Sequence, residues 1–275
     1  MKKHVLHALE YFDVFEYPPT FAEIHLFLAV TTTKKLLQEE LKNLIKKRMI
    51  YSFDDRYALN KGIFLAYQAR YDHSVIKFKQ AQSLLSKFQI IPTVHMVGIS
   101  GSLSMLNNKK TDDIDLFVVT SENAVWISRF FILLIKKVAG IFDPNYHDLC
   151  LNLIFSESQL TVPLYKQNEY VAHEVLQLKP IFDKYKSHKD FLSANNWIVQ
   201  FFPQAKRLLN HSKSHSSTKV SKIMTFMFEP LLRSLQEWWL SKKSIKFQAD
   251  RGQLWLIQND VQKRVEKQID LHELE

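Results

Sequence analysis

Val97-Gly98-Ile99-Ser100-Gly101-Ser102-Leu103-Ser104-Met105, then, after a polar stretch, Asp112-Asp113-Ile114-Asp115-Leu116-Phe117-Val118-Val119: these residues decide the fold. The first run begins at Val94 with apolar and β-branched side chains and reads as a strand entering a turn at Gly101-Ser102. A Gly-Ser turn brings backbone amides close to a phosphate, and its amides with the Ser102 hydroxyl can cradle a triphosphate. The second run is a strand from Ile114 to Thr120. Asp113 and Asp115, two apart, point to one face. Adjacent carboxylates repel unless a divalent cation lies between them, and Mg²⁺ favours one or two carboxylates plus phosphate oxygens. The plainer alternative makes Asp112 and Asp113 turn caps and Asp115 an edge-strand surface residue. Against it, Asp115 stands among apolar neighbours, where an unpaired carboxylate is costly.

Working outward, residues 124–139 read as an amphipathic helix and Leu149 to Phe155 as a third strand, so the centre of the chain is an α/β or α+β core. Along that strand Asp148, Cys150 and Asn152 share a face that can line the site opposite Asp113 and Asp115. The third polar position is Asp148, as ligand or general base with a strand-start cap as its alternative, or else the neutral Asn152.

Toward the N-terminus, Val5, Leu6, Leu9, Phe12 and Phe15 follow helical steps, and Pro18-Pro19 stop that helix. Thr20-Phe21-Ala22-Glu23 is a capping-box pattern opening a second helix. A third, Lys34 to Lys47, places Leu37, Leu41 and Leu44 inside and Lys34, Lys35, Lys42 and Lys46 outside. Met49 to Phe53 and Arg56 to Leu59 read as two strands around Asp54-Asp55. Three helices and a hairpin are the order of a winged helix-turn-helix, whose third helix can contact nucleic-acid phosphates. Residues 61–88 are a connecting helix ended by Pro92. After Pro163 helices are expected at 169–179, 191–202, 223–240 and 254–269, and the polar stretch 211–219 reads as a linker. The predicted organisation is α+β: residues 1–60 winged helix-turn-helix, 61–91 connector, 92–163 core, 164–275 an all-α region.

Composition bounds the function. The 275 residues carry 37 Lys+Arg against 28 Asp+Glu, a formal charge of +9, which permits a polyanionic partner. A single cysteine excludes a disulfide framework and any multi-cysteine zinc site and predicts a reducing, cytoplasmic setting. No apolar run reaches the roughly 18 residues of a membrane span. The five tryptophans stand at helical spacings with other apolar residues and are expected in the core. His173-Glu174 reads as a solvated helical pair, and Lys109 and Lys110 as exposed loop residues.

The Gly-Ser turn, ten intervening residues and Asp-x-Asp in an apolar strand resemble the DNA-polymerase-β-like nucleotidyltransferase superfamily. The likeness covers about residues 94–156. With a winged helix before and helices after, the order is similar to bacterial nucleotidyltransferase-domain proteins. The resemblance implies that Gly101 and Ser102 bind the triphosphate of an NTP, while Asp113, Asp115 and a third carboxylate, with Asp148 the candidate, hold two Mg²⁺ ions. The implied activity moves a nucleoside monophosphate to an acceptor: protein, RNA or a small molecule. It also places His173-Glu174 near the acceptor wall of such enzymes. The competing expectation is a regulatory or nucleic-acid-binding protein whose core binds nucleotide without turnover.

Overall fold

Pro18 and Pro19 have no amide hydrogen to continue a helix, and α1 (Lys2–Val14) ends before them. In α2 (Phe21–Leu26) the Thr20 hydroxyl accepts the Glu23 N–H at 3.2 Å, and the Glu23 carboxylate accepts the Thr20 N–H at 2.8 Å, the reciprocal cap expected from the sequence. Thr33 caps α3 (Lys34–Lys46), which buries Leu37, Leu41 and Leu44 against Val5, Leu9, Ile24 and Ile50. An antiparallel hairpin follows, β1 (Tyr51–Phe53) and β2 (Arg56–Ala58), with Asp54 at φ +51° in its turn. Arg56 fastens it by donating to the Pro18 carbonyl at 2.7 Å and lying over the Tyr67 ring at 4.4 Å. The long α4 (Gly62–Ser86) leads to the core. The computed structural model describes residues 1–209, 222–250 and 252–256.

The core elements are β3 (Val94–Ile99), the single turn α5 (Gly101–Ser104), β4 (Ile114–Thr120), α6 (Val125–Ala139), β5 (Leu149–Ser156), α7 (Glu169–Gln177), β6 (Lys179–Asp183), α8 (Ser187–Ala194), α9 (Lys206–Leu209), α10 (Lys222–Lys242), β7 (Phe247–Asp250) and β8 (Gln253–Leu256). Six strands form one mixed sheet in the order β6-β3-β4-β5-β8-β7. Only β4 and β5 run parallel, joined through α6; every other pairing is antiparallel. Alternate residues serve two cores. Val97, Leu116, Val118 and Ile154 join Phe88, Trp126 and Ile132 on one side, and Met96, Phe117, Val119 and Phe155 join Phe191 and Phe202 on the other.

The expected all-α region at 164–275 is corrected, because β6, β7 and β8 lie within it and widen the central sheet at both edges. Lys179-Pro180-Ile181-Phe182-Asp183 pairs with β3 on one edge, where a proline without an N–H is tolerated. Helix α7 accordingly stops at Gln177. The predicted 191–202 helix breaks after Ala194, because the buried Asn195 amide group donates to the carbonyls of Leu160 and Phe191 and its oxygen accepts the Val162 N–H. Of the helix expected at 254–269, the first residues are strand β8. The remainder lies outside the described residues, as does the 211–219 linker. Trp126 is buried, whereas Trp238 and Trp239 on α10 are exposed, against the expected core placement. Among the described residues no helix is long and apolar enough to cross a membrane.

The second core also receives α1. The His173 ring lies parallel to Tyr11 at 3.6 Å and near-parallel to Phe27 at 4.1 Å, with Phe202 edge-on at 4.7 Å. The expected solvated pair is thus overturned at its first member: apolar neighbours leave the imidazole without water. Burial holds it well below the usual histidine range, with the nearby His7 adding to the effect. Below about pH 6.5 the unfolded chain takes up this proton and the folded one does not, so stability falls with falling pH. His173→Phe removes this contribution, so the midpoint of the variant relative to that of the wild-type chain is expected to rise between pH 7 and pH 5.

Candidate functional site

At the end of β3 the Ser100 N–H donates to the Asp115 carbonyl at 2.9 Å, which locks the turn onto the neighbouring strand. Gly101 follows at φ +63°. A Cβ there would lie 2.5 Å from Asp115 Oδ2, so the backbone can approach the carboxylate this closely only because the residue is glycine. The Ser104 hydroxyl donates to the Gly101 carbonyl at 2.7 Å and closes the turn.

Asp115 lies on β4, between β3 and β5 rather than at an edge. Its Oδ1 accepts the Asn152 amide group at 2.5 Å. Burial, with the charges of Asp113 and Asp112 adding to it, pushes this carboxyl up to about 6, opposed by the Asn152 hydrogen bond and by Lys77. Asp113 is exposed just before the strand. Asp112 does cap its turn: its Oδ2 accepts the Lys109 N–H at 2.9 Å and the Ser102 hydroxyl at 3.3 Å. Ser102 in turn accepts from the Asn108 amide group at 3.0 Å. Lys109 and Lys110 are exposed, as expected.

The loop carrying these groups is held by α4. Ser74 Oγ accepts the Asn108 N–H at 2.8 Å, the buried Lys77 ammonium donates to the Asp112 carbonyl at 2.5 Å, and the Arg70 guanidinium donates to Asn107 Oδ1 at 2.7 Å. Arg70 also donates to the Glu16 carbonyl, so one side chain spans the N-terminal helices and the site loop.

On β5 the pairing jumps from Leu116↔Leu151 to Phe117↔Leu153, and the extra residue in the irregularity is Asn152. Asn152 therefore supplies the polar group that meets Asp115. Asp148 stands before β5 in a 3-10 turn, half exposed, with its carboxylate 3.7 Å from the Lys77 ammonium.

An acid from α7 faces the turn instead. Glu174 accepts the Gly101 N–H, and burial followed by the Asp115 charge pushes its carboxyl up to about 7. Tyr170, one turn earlier, has its hydroxyl raised by Glu174 first, then by burial and Asp115. The turn, Asp113, Asp115, Glu174 and Tyr170 thus form one acidic cluster. The resemblance points to His173-Glu174 as lying near an acceptor wall, and in the sequence itself the nearby Ala172 and Val175 hint that this helix face is buried.

Compared by sequence, the chain matches no protein-family model and no curated protein. Among the described residues no cluster of three His, Cys, Asp or Glu has the geometry to enclose a metal by itself. The donor set still fits a hard divalent cation that draws its remaining ligands from phosphate and water. The Asp113 charge acts on Asp115, and burial raises the carboxyls of both Asp115 and Glu174.

Proposed function

We propose that this chain is a Mg²⁺-dependent nucleotidyltransferase that moves a nucleoside monophosphate from an NTP to a hydroxyl or phosphate acceptor. The observation that carries the reading is the approach of the left-handed Gly101 to Asp115, which sets a turn suited to phosphate against two carboxylates suited to a cation. Asp113 and Asp115 would hold the metal, which when bound neutralises phosphate charge and lowers the proton affinity of an acceptor oxygen. Ser102, positioned by Asn108 and Asp112, offers its hydroxyl to the phosphates. Glu174 is the group of the cluster suited to take up the acceptor proton, since its affinity lies near neutrality. Incubation with each labelled NTP, Mg²⁺ and candidate acceptors tests the reading; transfer unaffected by Asp113→Ala with Asp115→Ala would overturn it.

One observation favours a second reading, nucleotide binding without turnover: the residue that meets Asp115 from β5 is the neutral Asn152. In that reading the N-terminal helices and hairpin serve as a winged helix, with the exposed lysines of α3 on nucleic acid.

The third acid is decided by one substitution. Asp148→Asn should leave transfer within about twofold and lower stability by about 1 kcal/mol or less, because its contact is a half-exposed ion pair to Lys77. A fall in turnover of orders of magnitude, with nucleotide affinity and thermal midpoint intact, would return Asp148 to the reacting centre.

A further inference from the structure

The Gly101-Ser102 turn has two donors to give a phosphate group, the Gly101 N–H and the Ser102 hydroxyl, and both already serve carboxylates of this chain. The Gly101 N–H is bonded to Glu174, a partly buried acid supplied by α7. The Ser102 hydroxyl donates to Asp112 Oδ2 at 3.3 Å, and the same oxygen accepts the Lys109 N–H at 2.9 Å. The direction of that hydroxyl is set by Asn108, whose amide group donates to Ser102 Oγ at 3.0 Å and to the Asp113 carbonyl at 3.3 Å. The serine oxygen thus accepts on one side, and its hydrogen goes to Asp112 on the other.

To an N–H or O–H donor, a carboxylate oxygen and a phosphate oxygen are the same kind of partner, negatively charged and acceptor-only. Glu174 and Asp112 therefore stand where phosphate oxygens would bond. The turn does not need an acid from another helix to close, because the Ser104 hydroxyl on the Gly101 carbonyl and the Ser100 N–H on the Asp115 carbonyl already hold it. Charge decides what can replace the two acids. Asp115 adds a further carboxylate, its Oδ2 2.5 Å from where a Gly101 Cβ would lie. The Lys77 ammonium is directed to the Asp112 carbonyl and lies 3.7 Å from Asp148, and the Lys109 side chain is 63% exposed. A metal-free triphosphate brings several negative charges among these acids and is repelled by them.

We propose, on the nucleotidyltransferase reading of this turn, that Glu174 and Asp112 are internal stand-ins for phosphate that close it to metal-free polyphosphate, so that a triphosphate enters only as its divalent-cation complex. Asp113 and Asp115 share that cation. Glu174, displaced from the Gly101 N–H by the incoming phosphate oxygen, then has both carboxylate oxygens free to take the acceptor proton.

Calorimetric titration of the full chain with inorganic triphosphate, once in Mg²⁺ and once in a chelator, tests it. Wild-type affinity in chelator is expected to lie about a hundredfold or more below that in Mg²⁺. Glu174→Gln removes the charge yet keeps an oxygen for the Gly101 N–H, and should raise the metal-free affinity about tenfold. Asp112→Asn likewise keeps an acceptor for Ser102 and Lys109 and should also raise it, so the test survives if one variant fails to fold. Metal-free affinity unchanged or lowered in every variant that folds would overturn the proposal, and a lower thermal midpoint for Glu174→Gln would then make Glu174 a fastener of α7. Wild-type binding as tight in chelator as in Mg²⁺ overturns it too. Triphosphate binding by none of the proteins, with or without Mg²⁺, overturns both this proposal and the nucleotidyltransferase reading. If label transfer is absent while the variants gain metal-free affinity, the self-capped turn stands and the transferase does not.

Discussion

Asp115→Asn is expected to abolish nucleotidyl transfer while making the protein more stable at pH 8. The raised carboxyl means that the folded chain holds its proton more tightly than the unfolded one, whose Asp titrates near 3.8. Between about pH 4 and 6 stability therefore falls as pH rises, and above that range the full cost of an ionised, partly buried carboxylate remains. Asn carries no such cost and keeps an oxygen to accept from Asn152. The variant should gain about 1–2 kcal/mol at pH 8, a gain that shrinks as pH falls through 6. Label transfer should drop by about a thousandfold or more, because the lost charge acts on the metal and on the transition state. Thermal melts at pH 5 and pH 8 beside a transfer assay check both halves. A variant less stable at pH 8 would show that Asp115 is held by favourable contacts and not against them.

Gly101→Ala should do damage of a different kind. An alanine at φ +63° costs about 1 kcal/mol or more in backbone energy alone, and its methyl group would stand 2.5 Å from Asp115 Oδ2, so turn or carboxylate must move. We expect destabilisation of about 2–3 kcal/mol and loss of transfer. The clash has one owner on each side, which makes the effect non-additive. With Asp115→Ala in the background, Gly101→Ala should cost only its backbone share, and a double-mutant cycle of melts would show a coupling of about 1 kcal/mol or more. Simple additivity would mean that the turn and the carboxylate do not press on one another.

Elements with long, regular patterns were legible before any coordinates. The 3-4 spacing of Leu37, Leu41 and Leu44, the Thr20–Glu23 cap and the apolar run of β4 each state a local preference that the tertiary structure keeps. The three added strands have four or five residues each, and their conformation comes from the sheet edge that receives them. Strict alternation put Cys150 and Asn152 on the face that meets Asp115, and there they are, but it could not show that Asp148 stands before the strand in a turn beside Lys77. Glu174 escaped for a related reason. Its meaning depends on Gly101, seventy-three residues earlier, and a charged helical residue beside a histidine looks solvated until the aromatic rings around His173 are seen to bury the helix face. Trp238 and Trp239 erred in the other direction, because helical periodicity locates an apolar face without saying what it meets.

Arg70 has a wider consequence. One guanidinium joins the Glu16 carbonyl to the Asn107 side chain, and on α7 the ring of His173, next to Glu174, is clasped by Tyr11 and Phe27. The site loop and α7 are thus both held by the N-terminal residues. A search for weakened transfer should therefore return substitutions at Glu16, Tyr11 and Phe27, remote from any reacting atom, alongside those at Asp113 and Asp115.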